Sequence, residues 1–308
     1  MTAPLRGVIA AVATPISVDH KPDTARFLKL AQHLLDHGCD ALNVLGTTGE
    51  ATSFALGDRL ALMSAAAGAL DRSRMMVGTG AAALGDAIAL TRHAGELGFA
   101  GALVLPPFYY KGVSEDGVFD YVAAIVEATA ANPAPIYLYH YPALSGVPYT
   151  PELVGRLIEA FPKRIVGLKD SSGDLAYERL LAERHTSFSV FPATEATLLE
   201  GRTGIFAGCI SATCNLNADL CSKAWRDGDA TALSTAVAMR KLFDGKPLVA
   251  GVKAGLAHLH GDLALARPMP PLTAWAQAEA ADLAIRLDEA RNGIVLRDRI
   301  WRMRPSWR

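Results

Sequence analysis

The sequence predicts an α/β fold, namely an eight-stranded (β/α)8 TIM barrel followed by a C-terminal helical extension. Short apolar runs alternate with longer amphipathic stretches along most of the chain. The repeating unit is roughly 20–35 residues, which is the size of a strand plus a crossover helix. Eight such units in roughly 225 residues suit a TIM barrel. The 308 residues are 51% hydrophobic and 20% charged, which is enough for a well-filled core.

The predicted strands are nearly continuous in apolar residues, as expected for parallel strands that are buried on both faces. In chain order they are Val8–Ala13, Ala41–Leu45, Met75–Gly78, Gly101–Leu105, Ile136–Tyr139, Ile165–Lys169, Phe188–Phe191 and Gly204–Ile210. Amphipathic stretches between them predict helices, among them Asp23–His37, Asp86–Leu97, Gly117–Ala130 and Pro151–Phe161.

An open doubly wound sheet is the alternative architecture. It needs fewer strands and usually carries a glycine-rich fingerprint after the first one. Here the first strand ends in Thr14-Pro15, and no GxGxxG motif follows it. We therefore predict a catalytic barrel over residues 1–225. Residues 226–308 are helical and alanine-rich, and we expect them to pack on the barrel.

Charge and cysteine content narrow the class of protein. The formal net charge of −1 provides no basic field for nucleic acid. Four cysteines without CxxC spacing predict free thiols in a reducing compartment (Cys39, Cys209, Cys214 and Cys221). The first residues lack a signal-peptide core, and Ala61–Leu70 is too short to span a bilayer. We expect a cytoplasmic protein with no membrane partner. We also expect its basic ending, Arg297–Arg308, to dock through Trp301 and Trp307.

Lys169 is the most informative single residue, because it ends the buried strand Ile165–Lys169. Desolvation disfavours the ammonium form of a lysine. A neutral amine at this position can attack a carbonyl carbon and form a Schiff base. A solvated ion pair between Lys169 and Asp170 is the simpler interpretation of this residue taken alone.

Two further strand ends favour the catalytic interpretation. Gly46-Thr47-Thr48-Gly49-Glu50 can turn sharply and hold a small carboxylate through backbone N–H groups and a hydroxyl, although it can also be an ordinary turn. Tyr139 ends another strand and can move protons, or it can be a core aromatic. In a TIM barrel the C-terminal strand ends form one mouth, so these elements converge.

The histidines carry less information. His258-Leu259-His260 resembles a metal-binding fragment, but no third ligand with suitable spacing is evident, so we expect no metal. His140 adjoins Tyr139, and either contact with substrate or a structural role is open.

The chain resembles the dihydrodipicolinate synthase / N-acetylneuraminate lyase family of class I pyruvate aldolases. The resemblance covers about Gly7 to Asn215, and the joint order of its motifs is specific. These motifs are Ala11-Val12-Ala13-Thr14-Pro15, Gly46-Thr47-Thr48-Gly49-Glu50, Pro107-Phe108-Tyr109-Tyr110, Tyr139-His140-Tyr141-Pro142, Gly167-Leu168-Lys169-Asp170 and Gly208-Cys209-Ile210-Ser211.

The resemblance implies a role for each matching residue. Lys169 forms a Schiff base with pyruvate or a 2-oxo acid, and Thr48 binds the carboxylate. Thr47, Tyr139 and Tyr109 form a proton relay, with Tyr109 reaching in from a neighbouring subunit of a homotetramer. Tyr110 is the alternative if the register differs by one. Ile210 lines the pyruvate pocket, and no cofactor is needed.

Two departures from the family pattern bear on the substrate. Leu144 stands where the synthases have an arginine that binds the second substrate's carboxylate, and leucine cannot make that bond. The stretch Pro142–Gly146 instead resembles the sialic acid lyase and sugar-acid aldolase branch. His140 replaces the usual asparagine and favours neither branch.

The sequence therefore predicts a Schiff-base-forming lyase that cleaves or forms a 2-oxo acid, preferably a 2-oxo-3-deoxy sugar acid. His140, Ser171, Glu195 and Ala212 are expected to shape the second-substrate site. We expect Glu195 to accept hydrogen bonds from the hydroxyls of a neutral sugar tail, unless it only caps the following helix. Dihydrodipicolinate synthesis from pyruvate and aspartate semialdehyde, sugar-acid dehydration and a catalytically silent binder remain open alternatives.

Overall fold

The computed structural model describes residues 4–295 and contains eight parallel β-strands with helices between them. The strands are β1 (Gly7–Ala11), β2 (Ala41–Val44), β3 (Met75–Gly78), β4 (Gly101–Val104), β5 (Ile136–His140), β6 (Ile165–Asp170), β7 (Ser189–Pro192) and β8 (Gly208–Ser211). The helices are α1 (Thr24–Asp36), α2 (Leu56–Ala69), α3 (Leu84–Leu97), α4 (Glu115–Ala128), α5 (Pro142–Ser145), α6 (Pro151–Ala160), α7 (Leu175–Arg184), α8 (Leu198–Gly201), α9 (Cys214–Asp227), α10 (Ala230–Lys241), α11 (Leu248–His260) and α12 (Gln277–Val295).

The strands pair in the order β7-β6-β5-β4-β3-β2-β1-β8, and every pairing is parallel. β7 and β8 lie next to each other and bring the two edges together. The backbone N–H of Ala207, just before β8, donates to the carbonyl of Val190 on β7 at 2.9 Å. The sheet is therefore a nearly closed barrel, and the predicted TIM-barrel fold is confirmed.

The boundaries differ most at the last strand. The sequence predicts that this strand begins at Gly204, whereas it begins at Gly208. Gly204 adopts φ of +102°, which is outside the extended region that a strand requires. Apolar character extends through residues 204–207, so hydrophobicity alone could not separate this connection from the strand.

The alternation of side chains along each strand builds two apolar layers. Ile9 and Ala11 of β1 and Tyr137 and Tyr139 of β5 share the cluster that fills the barrel interior. The intervening residues point outward and pack under the surrounding helices. Because of this period of two, alternate residues on a strand face the interior, and those at the strand ends reach the mouth.

Several helices begin with a side chain that caps free backbone N–H groups. Asp23 accepts from the N–H of Arg26 at the start of α1. Asp174 accepts from two N–H groups at the start of α7, and Thr150 caps α6 with Pro151 in its first turn. Such caps are each worth about 1 kcal/mol, and they fix where the loops leave the barrel rim.

The C-terminal helices continue the core of the barrel. Leu216 of α9, Leu256 of α11 and Leu287 of α12 belong to one buried cluster that also contains residues of β1 and β2. The predicted division at residue 225 falls inside α9 and stays a prediction. The predicted docking of the basic ending concerns residues 297–308, which lie outside the described part. None of the helices within residues 4–295 combines the length and the hydropathy that a membrane-spanning segment needs.

Candidate active site

A cavity of about 470 Å³ opens at the C-terminal ends of the barrel strands. Its wall combines polar groups from strand ends with apolar residues from the C-terminal region. The lining residues used below are Thr47, Thr48, Tyr139, Tyr141, Leu144, Lys169, Ser171, Ile210, Arg240 and the segment 247–250. The mouth thus brings together residues that are far apart in the sequence.

Lys169 lies near the end of β6, where its strand neighbour across the sheet is Tyr139 of β5. Only 4% of Lys169 is exposed. Its Nζ donates to the hydroxyl oxygen of Tyr139 at 3.3 Å and lies 4.4 Å from the centre of that ring. The amine is thus held at the cavity wall, in contact with a hydroxyl that can exchange protons with it.

The Tyr139 hydroxyl also contacts Thr47. Its oxygen lies 3.1 Å from Thr47 Oγ1, and either hydroxyl can be the donor. Amine, phenol and threonine hydroxyl therefore form one continuous hydrogen-bonded chain. Since a hydroxyl both donates and accepts, this chain can pass a proton between the amine and the loop.

The loop that carries Thr47 and Thr48 is held in an unusual backbone conformation. Leu45 and Glu50, at its two ends, both have φ of +54°, which is uncommon for residues other than glycine. A Cβ at Gly78 would lie 2.0 Å from the Leu45 carbonyl oxygen, so only glycine permits this approach. Backbone strain of this kind collects at functional sites and requires surrounding structure to hold it.

Glu50 supplies part of that support. Its carboxylate pairs with the buried amine of Lys253 and accepts from the backbone N–H of Met269 at 2.6 Å. Lys253 also donates to the carbonyl of Arg267 at 2.9 Å. Burial lowers the pKa of Lys253, while Glu50 opposes that shift. Lys253 is fully buried and does not line the cavity, so of these two lysines only Lys169 is at the cavity wall.

The structure separates the remaining predicted residues into two groups. Thr48, Ser171 and Ile210 line the cavity together with Lys169. His140, Glu195 and Tyr109 are not among the lining residues of their own chain. These placements describe geometry, and the roles of all these residues stay predictions.

His140 points away from the barrel interior, because it follows Tyr139 by one position on the same strand. Its Nδ1 accepts from the backbone N–H of Tyr149 at 3.0 Å, and its ring stacks on Tyr177 at 4.5 Å. Burial lowers the pKa of His140, and Asp170 opposes that shift. This environment favours the structural alternative for His140.

Glu195 lies beneath the cavity wall and is completely buried. Its carboxylate accepts hydrogen bonds from Ser211 Oγ at 2.9 Å, Thr213 Oγ1 at 2.7 Å and Asn217 Nδ2 at 2.8 Å. Arg240 Nη1 lies 3.4 Å from Oε2 of the Glu195 carboxylate. The expectation that these oxygens accept from sugar hydroxyls does not match this position, because internal donors already occupy them.

Tyr109 stands on the loop between β4 and α4 and is 75% exposed. Its ring meets the equally exposed ring of Tyr110 edge-to-face at 5.2 Å. Because Tyr109 does not line the cavity of its own chain, the expected role requires a neighbouring copy. The role of Tyr109 across a subunit interface stays a prediction.

Reasoning from the sequence missed the contribution of the C-terminal region. Arg240, in the last turn of α10, and residues 247–250, at the start of α11, both form part of the cavity wall. Tyr141 and Leu144 follow β5 and complete that side. No strand-end pattern marks Arg240, because the packing of α10 over the barrel brings it to the mouth.

In the described residues, no group of three or more histidine, cysteine or acidic side chains is arranged to hold a metal ion. The four cysteines are buried and free. The polar residues that line the cavity supply an amine, hydroxyls, one guanidinium and the carboxylate of Glu50, which is paired with Lys253. The amine and hydroxyls suit a 2-oxo acid bound through an imine and hydrogen bonds.

Comparison with known proteins identifies the family to which the chain belongs. The sequence model of the dihydrodipicolinate synthetase family matches residues 4–288. The chain belongs to this family. It is accordingly a lyase of the class I pyruvate-dependent aldolase type, and the family resemblance predicted from the sequence is confirmed.

Individual relatives agree with that placement. An uncharacterised lyase of Chloroflexus aurantiacus is 35% identical over 208 residues, covering 67% of this chain and 69% of the relative. The crystal structure of dihydrodipicolinate synthase from Agrobacterium tumefaciens superposes with a TM-score of 0.86 at 28% identity, covering 92% of this chain and 99% of that one. A prophage protein of the same family from E. coli K12, solved with pyruvate, gives a TM-score of 0.85 at 27% identity, covering 94% and 99%.

Proposed function

We propose that this protein cleaves or forms a 2-oxo-3-deoxy sugar acid through a Schiff base on Lys169. In the cleavage direction, pyruvate is the product that stays attached to Lys169 until hydrolysis. The observation that carries this proposal is the hydrogen-bonded chain from Lys169 Nζ to Tyr139 to Thr47 at the cavity wall. The pyruvate complex of the E. coli family member supports pyruvate as the shared unit.

The reaction begins when the amine of Lys169 attacks the C2 carbonyl carbon. The former carbonyl oxygen leaves as water with a proton from Tyr139, and a protonated imine remains. Cleavage of the C3–C4 bond sends its electron pair into that imine, which becomes an enamine. Tyr139, left as a phenolate after giving its proton to the departing water, takes the proton of the C4 hydroxyl, whose oxygen becomes the aldehyde carbonyl. Protonation at C3 and hydrolysis then release pyruvate and restore the amine, with no metal required.

Thr48 is proposed to bind the substrate carboxylate. It lies on the strained loop between Leu45 and Glu50 and is 5% exposed at the cavity wall. A carboxylate held there fixes the keto carbon relative to Lys169, and such positioning converts a bimolecular attack into an intramolecular one. Ile210 and Ser171 are proposed to complete the pocket around the pyruvate unit.

Synthesis of dihydrodipicolinate from pyruvate and aspartate semialdehyde is the second candidate. The 28% identity to the Agrobacterium synthase over nearly its whole length favours it. Leu144, which is 60% exposed at the cavity, stands against it, because leucine provides no cation at the position after β5 where the synthases have an arginine. Imine-dependent dehydration of a sugar acid uses the same first step and is distinguished by its product.

A direct competition tests this choice. Purified protein is given a panel of 2-oxo-3-deoxy sugar acids, and pyruvate release is measured with a coupled dehydrogenase. The same enzyme concentration is assayed for condensation of pyruvate with aspartate semialdehyde. Pyruvate release from a sugar acid should be the faster reaction. Faster condensation would replace the sugar-acid proposal with the synthase, and the absence of both would favour a silent binder.

Assembly and location are also proposed. We infer a homotetramer in which Tyr109 enters the cavity of a neighbouring subunit, because that side chain is 75% exposed and lies outside its own cavity. The four free cysteines favour a reducing compartment, which supports the cytoplasm. Light scattering and cell fractionation test these two points separately.

A further inference from the structure

We propose that Arg240 binds a second acid group at the far end of the substrate, so that the preferred substrate is a dianionic 2-oxo acid. The proposal rests on the function proposed above, because Lys169 must hold the keto end for Arg240 to meet the other. It assigns the aldehyde half of the substrate a terminal carboxylate or phosphate in place of a neutral hydroxymethyl group.

The position of Arg240 gives the first reason. It lines the same cavity as Lys169 and Tyr139, and 28% of its side chain is exposed. It comes from α10 and not from a strand end, so it closes the cavity from the C-terminal region. The cavity therefore contains a cation from α10, even though Leu144 replaces the arginine that the synthases carry after β5.

The orientation of the guanidinium gives the second reason. Arg240 Nη1 donates to Ser211 Oγ at 3.2 Å, to Thr213 Oγ1 at 3.3 Å and toward Glu195 Oε2 at 3.4 Å. All hydrogen bonds that Arg240 makes with the described residues use this one nitrogen. Its Nε and Nη2 are therefore available to a ligand, and a guanidinium edge matches the two oxygens of an acid group.

The charge balance gives the third reason. Charge-assisted contacts between a guanidinium and a carboxylate are typically 2.7–2.9 Å long. The 3.4 Å contact to Glu195 is longer than that, and the Glu195 carboxylate already accepts from Ser211, Thr213 and Asn217. Glu195 therefore orients Arg240 from below without fully neutralising it. We assign Glu195 as a positioning residue.

The beginning of α11 adds to this positive potential. Pro247, Leu248, Val249 and Ala250 line the cavity, and no side chain caps this helix N-terminus. The first N–H groups of a helix carry a partial positive charge that favours anions. The pKa of Tyr141, on the same cavity wall, is raised by burial and by Tyr139, and the charge of Arg240 opposes the rise. Two independent elements thus make one side of the cavity attractive to an anion.

A matched pair of 2-oxo acids tests the proposal without knowledge of the natural aldehyde. 2-Oxoadipate and 2-oxohexanoate have the same chain length and differ only in the terminal carboxylate. Each is incubated with the full-length protein, the imine is reduced with borohydride, and intact-mass spectrometry measures the concentration that gives half-maximal labelling. The pyruvate concentration that gives half-maximal labelling is measured for every variant as a reference, because pyruvate has no second acid group.

In the wild type, 2-oxoadipate should reach half-maximal labelling at a concentration at least 10-fold lower than 2-oxohexanoate. Arg240→Gln should remove most of that preference, because it takes away the charged partner. Arg240→Lys should restore part of it. Lys241→Gln, which removes a charge from an exposed neighbouring position on the same helix, should retain the full preference.

The outcomes separate the two proposals. Equal labelling by the two acids in the wild type, or a preference that survives in Arg240→Gln, would overturn the role of Arg240. Absence of any adduct with pyruvate would instead overturn the Schiff-base function. A further comparison of 2-oxo-3-deoxygluconate with its 6-phosphate and with the corresponding 6-carboxylate shows which acid group the site prefers. A neutral substrate cleaved faster than both would also refute the inference.

Discussion

Removing the hydroxyl of Tyr139 isolates proton transfer from every other property of that side chain. Tyr139→Phe keeps the ring, which lies 4.4 Å from Lys169 Nζ, and deletes the oxygen that contacts Lys169 at 3.3 Å and Thr47 at 3.1 Å. A lost acid–base group typically costs about 100-fold in turnover. That factor corresponds to about 2.7 kcal/mol in the activation free energy.

Stability should change much less than turnover. The two lost hydrogen bonds contribute together only about 1–2 kcal/mol to the free energy of unfolding, since each is worth about 1 kcal/mol net. Tyr137→Phe is the matched control, because Tyr137 lies on the same strand and faces the same interior. Its hydroxyl accepts from the backbone N–H of Leu5 at 3.2 Å and does not line the cavity.

The two variants should therefore show opposite effects. Tyr137→Phe leaves a buried N–H without its partner, which costs about 1–3 kcal/mol of stability, while turnover stays near that of the wild type. Pyruvate release measures turnover, and urea unfolding measures stability. Wild-type turnover in Tyr139→Phe, or an equal loss of turnover in both variants, would refute the proton-transfer role.

Three further predictions concern other parts of the chain. Thr48→Val should raise the pyruvate concentration for half-maximal labelling by about 10-fold, since a hydrogen bond to a charged group is worth roughly 1.5 kcal/mol; an unchanged value would remove the carboxylate-binding role. Burial, followed by a hydrogen bond that protonated Glu178 donates to Asp170, raises the pKa of Glu178 from 4.5 to about 9. The neutral acid therefore favours the folded state, and the free energy of unfolding should fall as the pH rises from about 5 to about 9. Glu178→Gln should flatten that fall in urea unfolding at several pH values, and exposed Glu183→Gln should not; a steep fall in Glu178→Gln would contradict the assignment. Tyr109→Ala should reduce turnover in the assembled protein without lowering its mass by light scattering, and a fully active monomer of the wild type would exclude the shared site.

The barrel was predictable because its signals are local. Buried parallel strands are continuous apolar runs, and Met75–Gly78 has the same bounds in the structure as in the prediction. Helix starts such as Pro151 follow from capping chemistry that depends on a few adjacent residues. The least accurate boundary, at β8, lies where apolar character continues through a connection containing Gly204.

The cavity was predictable only where strand ends supply it. Lys169, Thr48 and Ile210 line it because alternation and barrel topology direct them to the mouth. Glu195 also follows a strand, but Ser211 and Thr213 surround its carboxylate beneath the wall. That depth depends on how β7 and β8 meet, which no local pattern encodes.

Arg240 shows the complementary limitation. Its side chain reaches the cavity through the packing of α10 against the barrel, and its contacts with Ser211 and Thr213 span nearly thirty residues of sequence. The replacement of a cation by Leu144 could be identified from the sequence, because Leu144 lies in the segment that follows β5 directly. The residue that supplies a cation from another direction could be identified only in three dimensions.

The imine on Lys169 is the central claim, and borohydride trapping with pyruvate tests it most directly. Reduction should add one pyruvate-derived group, and tryptic mapping should place it on the peptide Ile165–Arg179, since trypsin does not cleave after a modified Lys169. Lys169→Arg should give no adduct, because a guanidinium stays protonated and cannot attack. An adduct on Lys253, or none in the wild type, would contradict the account.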